Sequence, residues 1–199
     1  MKLSNLVLLS IASISFFYIQ LWDESLVMPL HLLLLSVCTL YGMYRRDINI
    51  THIAGFILVL TASSHAVFEL GLINYTIPDE NKLLQGTIIY GVQLLFSITT
   101  ALILIFRVQI SRLISKSKQI ELTYFDGLYH WIYMYTSLIY LLGLVENIAW
   151  SYFNLKSWTF IYDNFEGLIY IAWAVCCGAV LTMMICSAKS NDSQEPRLS

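Results

Sequence analysis

Two ionisable side chains mark the stretch of this sequence with the clearest chemical potential. His65 and Glu69 lie four residues apart in the apolar run TASSHAVFELGLINY. Residues with this spacing share one face of an α-helix and lie about 6 Å apart. An imidazole beside a carboxylate in a medium of low dielectric can exchange a proton near neutral pH. The pair is therefore a candidate proton or ligand site.

Further polar side chains interrupt the other apolar runs: His31, Gln93, Glu146 and Asn147. The rise per residue of a helix puts His31, Glu69 and Glu146 about 8 to 9 Å inside the outer membrane boundary. The same count puts His65 and Gln93 about 15 Å inside it. Buried ionisable groups usually face the interior of a helical bundle. We therefore predict a polar cavity in the outer half, lined by His65, Glu69, Gln93 and Glu146, with Asn147 and His31 as further candidates.

Histidine and the amides also have a structural alternative. Such side chains commonly hydrogen-bond between membrane helices, where each bond contributes about 0.6 kcal/mol on average. Gln93 and His31 fit that description as single residues. A carboxylate is harder to explain as packing, because a cheaper amide would serve as well. Glu69 and Glu146 are thus the residues for which a functional role is favoured.

A metal or haem is the cofactor that these residue types suggest. Two imidazoles and two carboxylates suit a divalent cation, and the set here would be His31, His65, Glu69 and Glu146. The four histidines also fall at two levels, with His52 and His130 near the inner boundary, which formally allows two bis-imidazole haem pairs. Ordinary interfacial histidines occupy the same depth, so haem ranks below a metal ion.

The segment HAVFE, residues 65–69, resembles the His-x3-Glu found in a membrane helix of the emopamil-binding sterol isomerases. The resemblance implies a membrane enzyme whose buried acids protonate and deprotonate a ring, that is, acid–base catalysis on a lipid-like substrate. It covers five residues. That family has five membrane spans, whereas six are counted here, and its other acidic positions have no match in this sequence.

The elements that must position these residues are transmembrane helices. The 199 residues are 58% apolar and 12% charged, a composition outside that of soluble domains. Six segments are long enough to cross about 30 Å of hydrocarbon. The sequence predicts an all-α integral membrane protein with one six-helix bundle over residues 1–188 and a disordered cytoplasmic tail over 189–199. The spans are 4–22, 26–44, 50–75, 83–106, 128–150 and 167–188.

The basic residues predict the orientation of the bundle. Short loops rich in Lys and Arg stay on the cytoplasmic side. Only Lys82 and Lys156 fall on the opposite side, which places both termini in the cytoplasm and the protein in an inner, cytoplasmic-type membrane. The nine basic residues on the cytoplasmic side are Lys2, Arg45, Arg46, Arg107, Arg112, Lys116, Lys118, Lys189 and Arg197.

Two connecting segments have patterns of their own. Between residues 107 and 126, Ile110, Leu113 and Ile114 lie opposite basic residues at helical spacing, which suits a helix in the headgroup region or a solvated extension of the fourth span. Residues 150–162 carry six aromatic side chains around one lysine. This is typical of an interfacial aromatic belt, and the alternative is a cap over a cavity.

Composition excludes several classes of function. A net charge of −2 without a basic cluster excludes nucleic acid as a partner, and no glycine-rich phosphate loop indicates a nucleotide. Three classes remain. The leading one is transport or sensing of a small solute, proton or metal ion; the others are an enzyme on a lipid-like substrate and an interaction protein, such as a toxin-immunity or assembly factor. The lipid bilayer is a partner in all three.

Overall fold

The computed structural model describes residues 3–73 and 82–192, which form helices and contain no strand. Six of the helices are long and apolar enough to cross a membrane, which confirms the prediction of a multi-pass all-α membrane protein. A short 3-10 turn, Glu24–Leu26, precedes α2. The helices are α1 Leu3–Trp22, α2 Val27–Arg45, α3 Ile48–Glu69, α4 Lys82–Ile105, α5 Arg107–Ile114, α6 Tyr124–Tyr152 and α7 Phe160–Asp192.

Helix boundaries differ from the predicted spans where local signals override hydropathy. α3 ends at Glu69 rather than at residue 75, because Gly71 adopts a left-handed φ of 66°. α6 begins at Tyr124, where Thr123 and Asp126 form a capping box. α7 includes the first residues of the predicted tail, through Asp192. The rest of that tail, 193–199, lies outside the described residues.

Five of the long helices pack in a closed ring. The order around the ring is α2, α3, α4, α6, α7 and back to α2, while α1 lies outside it against α7. Chain connectivity defines two ends of this five-helix ring. The upper end holds the short link from α1 to α2, the end of α3 and the link from α6 to α7. The lower end holds the α2–α3 turn and α5.

The lower half of the ring is filled by apolar side chains. These residues come from all five helices and are almost fully buried. Tight packing of this kind holds membrane helices together, because burial from lipid offers no hydrophobic driving force. The core includes Leu35, Cys38, Ile53, Ile57, Leu104, Tyr129, Ile132, Cys176, Ala179 and Val180.

The α1–α7 and α4–α6 pairs approach closely at glycines. A Cβ added at Gly178 of α7 would lie 2.9 Å from the backbone nitrogen of Ser13 in α1 and 3.1 Å from its Cα. A Cβ at Gly86 of α4 would overlap the side-chain amide of Asn147 in α6. Small residues at such crossings let membrane helices pack backbone to backbone. The α1–α7 and α4–α6 contacts therefore depend on these positions.

A buried ion pair between Arg107 and Asp126 lies at the lower end of the ring. Arg107 is 0% exposed, and its Nε and Nη2 donate to the two Asp126 oxygens at 2.6 Å each. Its Nη1 donates to Asn49 Oδ1 at 2.8 Å, and Nη2 also donates to the Glu121 carbonyl. Asp126 Oδ2 further accepts from the backbone nitrogen and hydroxyl of Thr123, at 2.6 and 2.8 Å. This lower-end network joins α3, α5, α6 and the segment before α6.

Candidate functional site

The upper half of the ring encloses a cavity of about 360 Å³. All five ring helices contribute side chains to it, and we call it the ring cavity. The ring cavity lies above the packed core, and its lining includes His65, Glu69 and Gln93, three of the four residues predicted to share a polar cavity. The polar and aromatic lining residues are His31, Thr61, Ser64, His65, Phe68, Glu69, Gln93, Phe96, Ser97, Thr100, Tyr133, Thr136, Tyr140 and Trp173.

His65 and Glu69 both line the ring cavity, as the spacing predicts. His65 Nε2 lies 4.0 Å from Glu69 Oε1, a separation longer than a hydrogen bond that one water molecule can bridge. The Glu69 side chain is 70% exposed, and Glu69 is the last residue of α3. Its carboxylate therefore lies at the mouth of the cavity. An acid at the mouth and an imidazole one turn deeper can relay a proton into the cavity.

His31 forms part of the cavity wall. Its side chain is 2% exposed, and the imidazole stacks on Trp173 with ring centroids 5.1 Å apart. Nδ1 lies 3.3 Å from Sγ of Cys177 on α7. These contacts tie α2 to α7, which is the interhelical role that the sequence offers as the alternative for this residue.

Gln93 is the wall residue with an unmet hydrogen-bonding atom. Its Oε1 is buried and accepts no hydrogen bond from any residue that the structure describes. The hydroxyl one turn deeper is satisfied, because Ser97 Oγ lies 2.5 Å from Thr136 Oγ1 and 3.0 Å from the Tyr133 carbonyl. A buried acceptor without a partner costs about 1 to 3 kcal/mol. Gln93 is therefore a lining residue whose side-chain oxygen is both unpaired and shielded from the cavity.

Glu146 does not line the ring cavity, contrary to the prediction. Its Oε1 and Oε2 accept hydrogen bonds from the backbone nitrogens of Ile161 and Tyr162, at 3.1 and 2.7 Å. Those amides belong to the first turn of α7, whose N–H groups have no partner within the helix. A carboxylate there also suits the helix dipole. Glu146 is thus an interhelical N-cap, which explains its position without reference to His65.

Asn147, beside Glu146, joins α6 to the start of α4. Its Nδ2 lies 3.3 Å from the Leu83 carbonyl and 3.4 Å from Thr87 Oγ1. Together with the close approach at Gly86, these bonds fix the upper half of the α4–α6 contact. The predicted ligand-site role of Asn147 is therefore replaced by a contact between helices. Glu146 and Asn147 line a second, separate cavity at the upper end.

The predicted four-residue metal-ligand set is not assembled among the described residues. Across residues 3–73 and 82–192, no group of three or more His, Cys, Asp or Glu side chains is placed to hold a metal ion. Glu146 faces α7, which removes one of the four predicted ligands. The lower histidines have separate contacts: His52 stacks on Phe56 at 5.7 Å, and His130 Nδ1 lies 3.1 Å from the Asp126 carbonyl.

The capping role of Glu146 gives a testable expectation. Glu146→Ala removes both acceptors from the first turn of α7, and we expect the free energy of unfolding to fall by about 1 to 2 kcal/mol. Glu69→Ala is the matched control, since that carboxylate is exposed at a helix end, and we expect little change. Thermal unfolding of the detergent-purified variants measures both. Equal stability of the two variants would contradict the cap.

The fold and the site together define a class: a multi-pass helical membrane protein with a polar cavity inside a five-helix ring. Comparison of the chain with protein-family models, curated proteins and solved structures gives no match. The resemblance of HAVFE to the sterol isomerases thus remains confined to five residues. The cavity itself must carry any functional inference.

Proposed function

We propose that the ring cavity binds a small amphipathic solute, which the protein senses or transports. The observation that carries the proposal is the ring cavity itself, to which five helices contribute hydroxyl, imidazole, amide and aromatic side chains. A volume of about 360 Å³ lies within the range of known ligand pockets, about 300 to 1,000 Å³. The wall combines hydroxyl groups with aromatic rings, including Trp173 and Tyr140, as such pockets usually do.

The solute is expected to carry a polar group. Hydroxyl and imidazole groups of the lining would bond that group, and Trp173 and Phe96 would contact the apolar part of the molecule. His65 and Glu69 add a titratable pair between this site and the mouth of the cavity.

The packed core restricts what this conformation can do. Apolar side chains fill the ring below the cavity, so we expect a bound solute to exchange through the upper end. This is the geometry of a receptor or of one state of a transporter. With the basic residues of the lower end facing the cytoplasm, the cavity would be open toward the outside of an inner, cytoplasmic-type membrane.

Two adjacent serines provide a matched test of the cavity. Ser64 lines it, whereas Ser63 is exposed on the outside of the ring and bonds the Val59 carbonyl of its own helix at 2.7 Å. Ser64→Leu fills the cavity, and Ser63→Leu places the same side chain against lipid. Polymer-extracted native membrane discs of each variant would be analysed by mass spectrometry for retained small molecules.

We expect one compound to be retained by the wild type and Ser63→Leu and to be lost from Ser64→Leu. Loss from both serine variants, or a Ser64→Leu protein that is more stable and retains the same compounds as the wild type, would mark the cavity as a packing void. Recovery of a lipid-like compound together with its double-bond isomer would instead assign His65 and Glu69 to acid–base catalysis.

A further inference from the structure

A second cavity of about 570 Å³ lies at the upper end of the bundle. It is bounded by the start of α4, the end of α6 and the start of α7, and we call it the upper-end cavity. None of its lining residues lines the ring cavity. Its lining includes Tyr90, Glu146, Trp150, Ser151, Trp158 and Tyr162, so the aromatic segment identified in the sequence forms much of its wall.

The aromatic wall has the chemistry of a cation site. The faces of Trp and Tyr rings carry negative electrostatic potential and attract cations, with Trp the strongest. Neither Trp150 nor Trp158 stacks on another ring among the residues that the structure describes. The Trp158 side chain is 58% exposed. Both indoles can therefore offer a ring face to a ligand.

The formal charge of the wall also favours a cation. Glu146 is the only Asp or Glu among the described residues that line the cavity, and no Lys or Arg accompanies it there. The Ile161 and Tyr162 amides hold its carboxylate in place, and each oxygen keeps capacity for a further interaction. The wall thus carries one formal negative charge, enough to balance a monovalent cation.

Ser151 adds a polar contact for the rest of the ligand. Its Oγ is buried and has no hydrogen-bond partner among the described residues. Glu146 is the only carboxylate among the described residues of this wall, and no group of three or more His, Cys, Asp or Glu side chains in the described part of the chain is placed to hold a metal ion. An alkylammonium group matches the rings and the carboxylate, and a neighbouring oxygen on the same molecule would match Ser151.

We propose that the upper-end cavity binds an organic cation of the quaternary alkylammonium class, recognised by Trp150, Trp158 and Glu146. Choline serves as the probe. The control ligand is its neutral isostere, in which carbon replaces the charged nitrogen, because it keeps the shape and removes the charge. Binding of each is measured by calorimetry on the full-length protein in phosphatidylglycerol nanodiscs.

We expect saturable choline binding and at least about tenfold weaker binding of the neutral isostere. Trp158→Leu should weaken choline binding by about tenfold. Phe153→Leu is the matched control, because Phe153 is 63% exposed in the same segment and does not line the cavity, and it should bind choline as the wild type does. Ser64→Leu, in the ring cavity, should also leave choline binding unchanged.

The cation can come from a lipid headgroup or from solution, and a second measurement separates the two. Native mass spectrometry of the protein from nanodiscs with equal amounts of phosphatidylcholine and phosphatidylglycerol reports which lipid is retained. Enrichment of phosphatidylcholine that is lost in Trp158→Leu identifies a headgroup site, whereas choline binding without enrichment identifies a soluble cation. Equal binding of choline and its isostere, equal effects of Trp158→Leu and Phe153→Leu, or neither binding nor enrichment would overturn the proposal.

Discussion

Arg107→Met is expected to lower the free energy of unfolding by about 3 to 5 kcal/mol. The substitution leaves the Asp126 carboxylate, which is 3% exposed, buried without the guanidinium that donates to both of its oxygens. Asn49 and the Glu121 carbonyl lose a donor at the same time. Thermal and chemical unfolding of the detergent-purified protein, followed by fluorescence, measures the loss.

Two further variants separate the ion pair from a general effect of losing a cation. Arg112→Met removes an exposed arginine of the same helix, whose Nη2 lies 3.4 Å from the Ile120 carbonyl, and should cost less than about 1 kcal/mol. Adding Asp126→Asn to Arg107→Met keeps acceptor and shape for Thr123 and removes the unpaired charge, so it should recover part of the loss. An Arg107→Met protein as stable as Arg112→Met would mean that the network adds nothing to stability.

Gly178→Val is the second variant for which we expect a large effect, about 3 kcal/mol of lost stability. The added Cβ would meet the backbone of Ser13 at 2.9 and 3.1 Å, and backbone atoms cannot rotate away as a side chain can. The contact between α1 and α7 must therefore open along its length. Unfolding of the purified variant measures the loss, and release of α1 would appear as new protease sensitivity before Val27.

Gly91→Val is the matched control for this overpacking. Gly91 also lies inside a long helix, but a Cβ added there meets nothing within 4 Å. The same substitution should therefore change stability by less than about 1 kcal/mol. If both valine variants lost the same stability, the cause would be the β-branched side chain in a helix, and the α1–α7 crossing would have no special role.

The number of spans was readable from the sequence because length and apolar content suffice for a helix that crosses hydrocarbon. Hydropathy does not predict the end of α3. The residues after Glu69 continue the apolar run, and hydropathy does not distinguish helix from turn. Gly71, with its φ of 66°, was the available signal. The sequence also carries a signal for the start of α6, because Thr123 and Asp126 have the spacing of a capping box.

The site shows a different limit. The pairing of His65 with Glu69 follows from spacing on one helix, and the structure places both at one cavity. The prediction grouped Glu146 with them by its depth alone. Depth gives the height of a residue in the membrane, but it does not give the neighbouring helix that its side chain faces. Arg107 was counted as an ordinary cytoplasmic cation for the same reason, because its partner Asp126 lies on another helix.

The place of α1 outside the five-helix ring sets an order for biosynthesis. Of the described helices, α1 leaves the ribosome before the others, and its packing partner α7 leaves after them. At about 5 to 20 residues per second, on the order of ten seconds separates the two. During that interval α1 has only lipid or an insertion factor to cover the face around Ser13. The ring is closed by the contact between α7 and α2. Assembly of this bundle is therefore completed only after α7 has been made.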